Sequence, residues 1–406
     1  MKPTKLTLAC FAALTSTSAL ASGHLMSDLG ALNASTAGAG SAALAETALT
    51  AWSNPAGMAN LESDNFTMNV AALGLDVNYS DIGSTMNGED ADNAGSWMPI
   101  ASMYYTTQLN DKFTFGVSLA SQGGSGLDYG EDFRGSPATE TVDLVTVQLA
   151  PALSYKVDDK LSIGATLNIE HASIKQTMSD FVDNGTGNHV STRANVSTKD
   201  LTLGYTLSAL YNVDENNRFG LVYRSEIDHT AEGSAHLDGN IAHGVNASIG
   251  LVMPRQATFS GYHKRDKLAY LYTLGWTDFS VLDKTPIEVA NTTGDIVRNF
   301  QDTWNASVGM HYEMSQNLRF EGGLGFESSP VTDSQFQNPD LPAGELWRLG
   351  FGANHDLGSN WSAKYYYEYL RWSKEVIDRD YNPIGTLHGE YDSFAHYFGV
   401  QINKSF

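Results

Sequence analysis

Residues capable of chemistry are scattered along the chain rather than gathered into a catalytic motif. The 406 residues contain no Gly-x-Ser-x-Gly nucleophile elbow, no His-Glu-x-x-His zinc motif and no EF-hand calcium loop. The eleven histidines are spread out, and only His236 and His243 lie loosely close together in one polar stretch. A nucleophile or metal site needs several such groups together. The sequence therefore predicts no enzymatic activity, no metal site and no bound cofactor.

Charged side chains within alternating apolar segments are better candidates for function. When the alternation is carried through each segment, these charges fall on the face opposite the apolar residues. Most are expected to form ion pairs. A second hypothesis is that one or two cations bind a ligand carboxylate, because a cation in a partly desolvated site favours the ionised acid. The charges on this face are Glu170, Arg224, Glu226, Glu313, Arg319, Glu321, Arg348, Lys364 and Glu368, and the candidate carboxylate contacts are Arg224, Arg319, Arg348 and Lys364.

Long segments of regular alternation must position these charges. Between Leu201 and Ala209 every odd position is apolar and every even position is small or polar. Residues 161–170 show the same pattern, and residues 304–314 alternate likewise with their apolar residues at even positions. Successive side chains of a strand point to opposite faces, so one face suits lipid and the other a polar lumen. Strands of soluble sandwiches are usually about 5–6 residues long, shorter than these segments. Length and alternation together favour transmembrane β-strands.

Short polar turns and longer polar loops separate these segments in a regular order. Six turns and seven loops make thirteen connections, which predict fourteen antiparallel strands. An even number is typical of a bacterial outer-membrane barrel, with its short turns on the periplasmic side. The turns lie at 110–112, 158–160, 215–217, 265–267, 315–317 and 358–360, and the loops at about 80–96, 124–138, 177–197, 235–245, 284–299, 329–342 and 377–389.

The N-terminal 21 residues have the pattern of a secretory signal peptide. Two lysines precede an apolar stretch, and Ala19-Leu20-Ala21 forms the cleavage site. The single cysteine, Cys10, lies inside this peptide, so the mature chain is expected to be stabilised without disulfides. No long apolar run follows, which excludes a helical membrane protein.

A net charge of -22 argues against nucleic acid as a partner, because phosphates would be repelled. The acidic surface is either simply solvated or shares divalent cations with lipopolysaccharide. The sequence leaves both alternatives open.

Residues 22–63 differ in composition from the rest of the chain. They are rich in alanine, glycine and serine, and Asn54-Pro55-Ala56 ends their helical part. Asn is disfavoured in the helical region before Pro, and Pro cannot donate a backbone hydrogen bond. We expect residues 22–63 to form a compact plug, or hatch, inside a barrel formed by residues 64–406.

This order of features resembles that of the FadL-type outer-membrane transporters of long-chain fatty acids and hydrocarbons. Residues 216–226, which run Asn-Asn-Arg through to Tyr-Arg-Ser-Glu, are the most specific match, and residues 254–262, 276–280 and 326–331 add further ones. Asn54-Pro55-Ala56 matches the hatch motif. The resemblance implies an all-β fold, a fourteen-stranded antiparallel transmembrane β-barrel with a small helical N-terminal hatch in its lumen.

The resemblance also implies three sites. The mature N-terminus reaches into the ligand pocket, usually with an aromatic third residue, where this chain has His24. A kink in the third strand opens the wall, although two glycines here could also simply begin the next loop. Apolar loop residues capture the ligand. In this sequence the N-terminus in the pocket corresponds to Ser22, Gly23 and His24. The wall kink corresponds to Gly123 and Gly124, and the capture residues correspond to Leu127, Tyr129 and Phe133.

These observations predict passive uptake of hydrophobic molecules across the outer membrane of a Gram-negative bacterium. The favoured cargo is a long-chain fatty acid, captured by loops and released sideways through the wall after a hatch shift. Ser173 stands where a fatty-acid transporter can carry a ligand-facing Arg, and this difference favours the alternative cargo, aromatic or alkane hydrocarbons. A structural or adhesin-like barrel, or a phage receptor, is the third hypothesis. We expect a monomer whose terminal Phe406 resembles the signal read by the barrel-assembly machinery.

Overall fold

The computed structural model describes residues 33–183, 189–237, 242–289, 292–382 and 384–406. The predicted signal peptide and the predicted pocket residues Ser22, Gly23 and His24 lie outside these ranges. The strand segments are β1 (Asn65–Asp81), β2 (Trp97–Gln108), β3 (Phe113–Ala120), β4 (Gly124–Asp128), β5 (Thr141–Lys156), β6 (Leu161–Asp183), β7 (His189–Asn212), β8 (Asn217–Arg224), β9 (Ile227–Leu237), β10 (Ala242–Met253), β11 (Gln256–Arg265), β12 (Leu268–Thr277), β13 (Lys284–Val289), β14 (Thr292–Val297), β15 (Thr303–Glu313), β16 (Leu318–Glu327), β17 (Leu346–Gly358), β18 (Trp361–Trp372), β19 (Glu375–Asp380) and β20 (Thr386–Ser405).

Fourteen of these segments close into one antiparallel barrel, as predicted. Around the wall they run β1, β2, β3, β5, β6, β7, β8, β11, β12, β15, β16, β17, β18 and β20. The last strand, β20, pairs with β1 from Ser405 to Gly389 and so completes the ring. Closure leaves no strand edge whose backbone N–H and C=O groups would lack hydrogen-bond partners in lipid.

The remaining segments extend the wall on the side of the long loops. β4 continues β3, β9 and β10 form one hairpin, β13 and β14 form another, and β19 adds to β20. The predicted loop at 177–197 is therefore wrong, because β6 and β7 stay paired from Thr177↔Asn195 to Asp183↔His189. Here Ala194 and Val196 are buried on the inner face while polar residues such as Ser197 occupy the outer face, so the apolar outer face that marks a membrane strand is lost while the pairing continues.

The wall sorts its side chains as the alternation predicts. Leu201, Leu203 and Leu207 are about half or more exposed on the outer face, while Thr206 between them is buried. One expected inner-face charge, Glu226, is exposed instead. The reason is an interruption after β8, where Ser225 Oγ accepts a hydrogen bond from Tyr205 N and the inward positions change to Ile227 and His229.

The described part of the hatch, residues 33–62, lies inside the ring. Its regular elements are a 3₁₀ helix at Ala34–Thr36, an α-helix at Thr50–Ser53 and a 3₁₀ helix at Pro55–Asn60; two further 3₁₀ helices, Phe279–Leu282 and Ser334–Phe336, belong to loops. Close approach to the wall requires glycine: a Cβ on Gly220 would overlap the Ala42 carbonyl oxygen. Among the described residues, no helix is both long and apolar enough to span a membrane.

Candidate functional site

A large apolar cluster fills the lumen near the long loops. It includes Leu73, Leu75 and Val77 of β1, Leu370 of β18 and Tyr391 of β20. The three predicted capture residues also belong to it. Leu127, Tyr129 and Phe133 are 3%, 6% and 2% exposed, and the rings of Tyr129 and Phe133 stack with centroids 4.4 Å apart. These side chains lie in the interior, so a ligand that contacts them has already entered the barrel.

The wall is interrupted beside this cluster. β3 ends at Ala120 and β4 begins at Gly124, so Gly123 lies in the break and Gly124 starts the next segment. The opposite strand, β5, has one residue fewer over the same stretch, because Ala120 pairs with Gln148 and Gly124 pairs with Val145. One extra residue is therefore accommodated on the β3–β4 side, which is the geometry of a bulge.

Two hydroxyls fix the backbone at this break. Ser121 Oγ donates to the Gly123 carbonyl oxygen at 3.0 Å. Thr146 Oγ1 donates to the Gly123 carbonyl oxygen at 2.5 Å and accepts a hydrogen bond from Gly123 N at 3.2 Å. On the other side, β2 pairs with β3 only from Met103 to Gln108. Within the described chain no ladder joins residues 97–102 of β2 to β4. This part of the wall lacks the backbone hydrogen bonds that close the barrel elsewhere.

An apolar cleft lies next to β4, under the β9–β10 and β13–β14 hairpins. It encloses about 620 Å³ of empty space, part of it open to solvent. Apolar side chains from four strands form most of the lining, with Ser125 of β4 at the side nearest the break. These side chains are Val142, Leu144, Ile174, Ile249, Leu251 and Ile287.

One buried ion pair lines this mainly apolar cleft. Arg298 donates from Nη1 to Asp340 Oδ1 at 3.0 Å and from Nη2 to Asp340 Oδ2 at 2.6 Å, and its Nε donates to Thr285 Oγ1 at 3.1 Å. Neither residue was a sequence candidate. Arg298 follows β14 in a connection to β15, where no strand alternation assigns it a face, and its partner is distant in sequence.

The hatch motif connects the plug to the wall. Asn54 Nδ2 donates to the carbonyl oxygens of Ala42 and Ala209, and Asn54 Oδ1 accepts from Ala56 N. The hydroxyls of Ser154 and Ser162 both donate to the Ala56 carbonyl oxygen, at 3.0 and 2.8 Å. Pro55 begins a 3₁₀ helix directly after Asn54. The motif therefore holds the hatch backbone against three strands, β5, β6 and β7.

The four predicted cations all contact protein groups of the hatch or the wall, away from the apolar cleft. Arg224 donates to the Trp52 carbonyl oxygen at 2.7 Å and lies over the Trp52 ring. Arg348 Nε donates to Glu368 Oε1 at 2.8 Å. Lys364 Nζ lies 3.1 Å from Glu321 Oε2.

Arg319 bridges the hatch and the wall. It forms a two-bond pair with Glu46 of the hatch, at 3.0 and 2.8 Å, and contacts Glu321 Oε1 at 2.7 Å. Burial raises the pKa of the Glu46 carboxyl, but the Arg319 guanidinium outweighs this effect and holds that pKa well below its usual range. The carboxylate of Glu46 is therefore ionised at neutral pH and carries the charge that pairs with Arg319.

A second buried polar cluster lies across β5, β6, β7 and β9. His229 is placed between Glu170 Oε1 and Asp200 Oδ2, 3.1 Å from each. Gln148 Nε2 donates to Glu170 Oε2 at 3.0 Å and lies 3.4 Å from Gln122 Oε1, in the wall break. These contacts tie the residues around the break to the base of the β9–β10 hairpin. In the described ranges no group of three or more His, Cys, Asp or Glu residues could hold a metal ion.

Relatives of the chain share its whole length. The long-chain fatty acid transport protein of Escherichia coli (strain K12) is 24% identical over 449 residues, covering 99% of this chain and 98% of the relative. The structure of a Pseudomonas aeruginosa FadL homologue matches with a TM-score of 0.85 at 18% identity, covering 96% of this chain and 100% of that one. The Ralstonia pickettii toluene transporter TbuX matches with a TM-score of 0.70 at 17% identity, covering 94% and 99%. At such identities the two structures establish the fold.

The family model described as outer membrane protein transport protein (OMPP1/FadL/TodX) matches residues 12–406. This family consists of transport channels of the Gram-negative outer membrane rather than enzymes. With nearly the whole chain matched and the same fourteen-stranded barrel, the protein belongs to the OMPP1/FadL/TodX family of outer-membrane transport proteins.

Proposed function

We propose that this outer-membrane protein takes up hydrophobic molecules passively, with long-chain fatty acids as the favoured cargo. The observation that carries the proposal is the apolar cleft beside β4, next to the break in the wall. Apolar surface gains about 25 cal/mol per Å² when it leaves water, so an alkyl chain gains free energy by entering such a cleft. A water-filled pore offers no such gain.

The proposed route runs from the loops into the apolar cleft, along the apolar cluster and out through the wall break. Val142 lines the cleft and also packs in the cluster that contains Leu127, so the two apolar regions are contiguous. The cargo then passes between β2 and β4 into the outer leaflet after a small hatch shift. The hatch, which Asn54 binds to β7 and Glu46 binds to Arg319 of β16, blocks the direct path to the periplasm.

Relatives carry two classes of cargo by name: fatty acid in the Escherichia coli relative and toluene in the Ralstonia pickettii structure. Aromatic or alkane hydrocarbons are therefore the second candidate cargo. The uniform lining of Leu144, Ile174 and Ile249 would suit them equally. Contacts of the acidic loops with lipopolysaccharide, a monomeric state and recognition of Phe406 by the assembly machinery stay predictions.

Filling the cleft tests the proposal. Leu144→Trp adds bulk inside the cleft, whereas Leu203→Trp adds the same bulk on the lipid-facing side, where Leu203 is 61% exposed. Oleate uptake by cells that depend on this protein should fall several-fold with Leu144→Trp and stay unchanged with Leu203→Trp. Equal uptake by both variants, at equal amounts in the outer membrane, would contradict the proposed route.

A further inference from the structure

We propose that the Arg298–Asp340 pair is a ligand-operated latch: a ligand carboxylate in the apolar cleft takes the place of Asp340 on Arg298 and releases the loop that carries Asp340. This inference rests on the proposed function and names its ligand class, an ionised monocarboxylate on an apolar body. The loop, residues 337–343, is called the lid below.

The geometry of the pair suits an exchange of one carboxylate for another. The two Arg298–Asp340 hydrogen bonds are parallel, and a planar guanidinium binds any carboxylate in this two-bond arrangement. Thr285 holds Arg298 Nε from the other side, so the guanidinium stays in place when Asp340 leaves. The Arg298 side chain is only 6% exposed and faces the cleft.

Charge balance restricts the exchange to acids. A buried guanidinium without a counter-ion is strongly unfavourable, so Asp340 leaves only when another anion replaces it. A carboxylate ligand conserves the net charge around Arg298, while its alkyl or aryl body fills the apolar cleft. A neutral hydrocarbon or alcohol can occupy the same cleft but leaves the pair intact.

The lid is built to move as a unit. Gln337 braces its two ends, because its Nε2 donates to the Ala343 carbonyl oxygen and its Oε1 accepts from Ala343 N. Tyr129 Oη donates to the Pro339 carbonyl oxygen at 2.8 Å. Because Tyr129 also packs in the apolar cluster next to the wall break, movement of the lid is transmitted to that cluster. Binding of an acid at Arg298 therefore loosens the packing along the exit route.

Matched ligands test the recognition step. The full chain in nanodiscs is titrated at pH 8 with dodecanoate and with dodecan-1-ol, which differ only in the head group. The unaltered protein should bind dodecanoate about tenfold more tightly, a difference typical of a charge-assisted pair. Arg298→Gln should remove this preference and leave the alcohol affinity unchanged. Asp340→Asn, which removes the competing anion, should raise the dodecanoate affinity.

Lid position supplies a second readout. Cys10, the only cysteine, lies in the predicted signal peptide, so Ala343→Cys and Ser359→Cys in the mature chain carry one label on the lid and one on a periplasmic turn. Dodecanoate should shift the spin-label distance distribution, dodecan-1-ol should not, and Asp340→Asn should show the shifted distribution without ligand.

The outcomes separate this inference from the proposed function. If both ligands bind with equal affinity before and after Arg298→Gln, or if dodecanoate binds without moving the lid, the latch is refuted while the uptake proposal stands. If neither ligand binds, both proposals fail. Arg298→Lys keeps the charge but not the two-bond geometry and should retain part of the preference for dodecanoate. Retained binding by this variant shows that a loss seen with Arg298→Gln does not come from misfolding. Benzoate in place of dodecanoate distinguishes an aryl from an alkyl body.

Discussion

Replacing Arg319 with methionine tests whether one residue locks the hatch to the wall. Methionine keeps much of the side-chain volume and removes the charge. Glu46 then loses its two-bond partner, while Glu321 keeps Lys364 at 3.1 Å and the hydroxyl of Ser35 at 2.6 Å. The loss therefore falls mainly on the contact between the hatch and the wall.

The expected magnitude follows from burial. Removing one partner of a fully buried ion pair costs about 3–5 kcal/mol. Here the Glu46 side chain is 28% exposed, so solvent screens part of the unpaired charge. We expect the free energy of hatch opening to fall by roughly 2–3 kcal/mol, which corresponds to a roughly 30- to 150-fold increase in the opening constant.

Amide hydrogen exchange measures this opening directly, at backbone groups such as Ala51 N, Trp52 N and Asn54 N of the hatch. Exchange in the barrel strands serves as the internal control and should not change. In a double-mutant cycle with Glu46→Gln, the combined effect should be smaller than the sum by about 1–2 kcal/mol, because both changes remove the same contact. Additive effects, or faster exchange throughout the barrel, would refute the assignment of Arg319 as the lock.

The remaining predictions concern the same interface and the wall. The pKa of Glu46 is lowered in the folded protein, so this carboxylate stabilises the fold above its unfolded pKa of 4.5, and the stabilisation is lost as the pH falls below that value. The difference in free energy of unfolding between the unaltered protein and Glu46→Gln should therefore be constant above about pH 5 and shrink below pH 4.5. Gly220→Ala would overlap the hatch backbone and should expose the hatch to protease, whereas Gly322→Ala, with its nearest atom 3.7 Å away, should not. Thr146→Val removes the two hydrogen bonds between Thr146 and Gly123 and leaves the one from Ser121 Oγ; it should lower the free energy of unfolding by about 1–2 kcal/mol and alter oleate uptake.

The barrel could be predicted from the sequence because lipid and lumen impose opposite demands on successive residues. The run from Leu201 to Ala209 obeys this rule, and so does the wall it forms. The rule ends where the membrane ends. Residues 177–183 and 189–197 continue as paired strands beyond the run of outward-facing apolar residues, so their pattern indicated a loop although the ladder persists.

The candidate site was harder to predict than the fold. Alternation identifies charges on the inner face, and Lys364 is indeed buried there, 6% exposed. It carries no information on Arg298, which lies outside the strands, or on Asp340, whose contact with Arg298 exists only after the loops pack. Pairings of this kind depend on tertiary structure and leave no local pattern.

The distribution of hydrogen bonds favours a sideways exit over passage through the hatch. A path to the periplasm must break the Arg319–Glu46 pair and the contacts of Asn54 and Ala56, each buried hydrogen bond contributing about 1 kcal/mol and the ion pair more. Between residues 97–102 of β2 and β4, by contrast, no backbone ladder has to be opened. An apolar molecule leaving there passes from the apolar cluster into lipid without contacting the charged network around Arg319. On the proposed route, the wall break therefore offers the lower barrier.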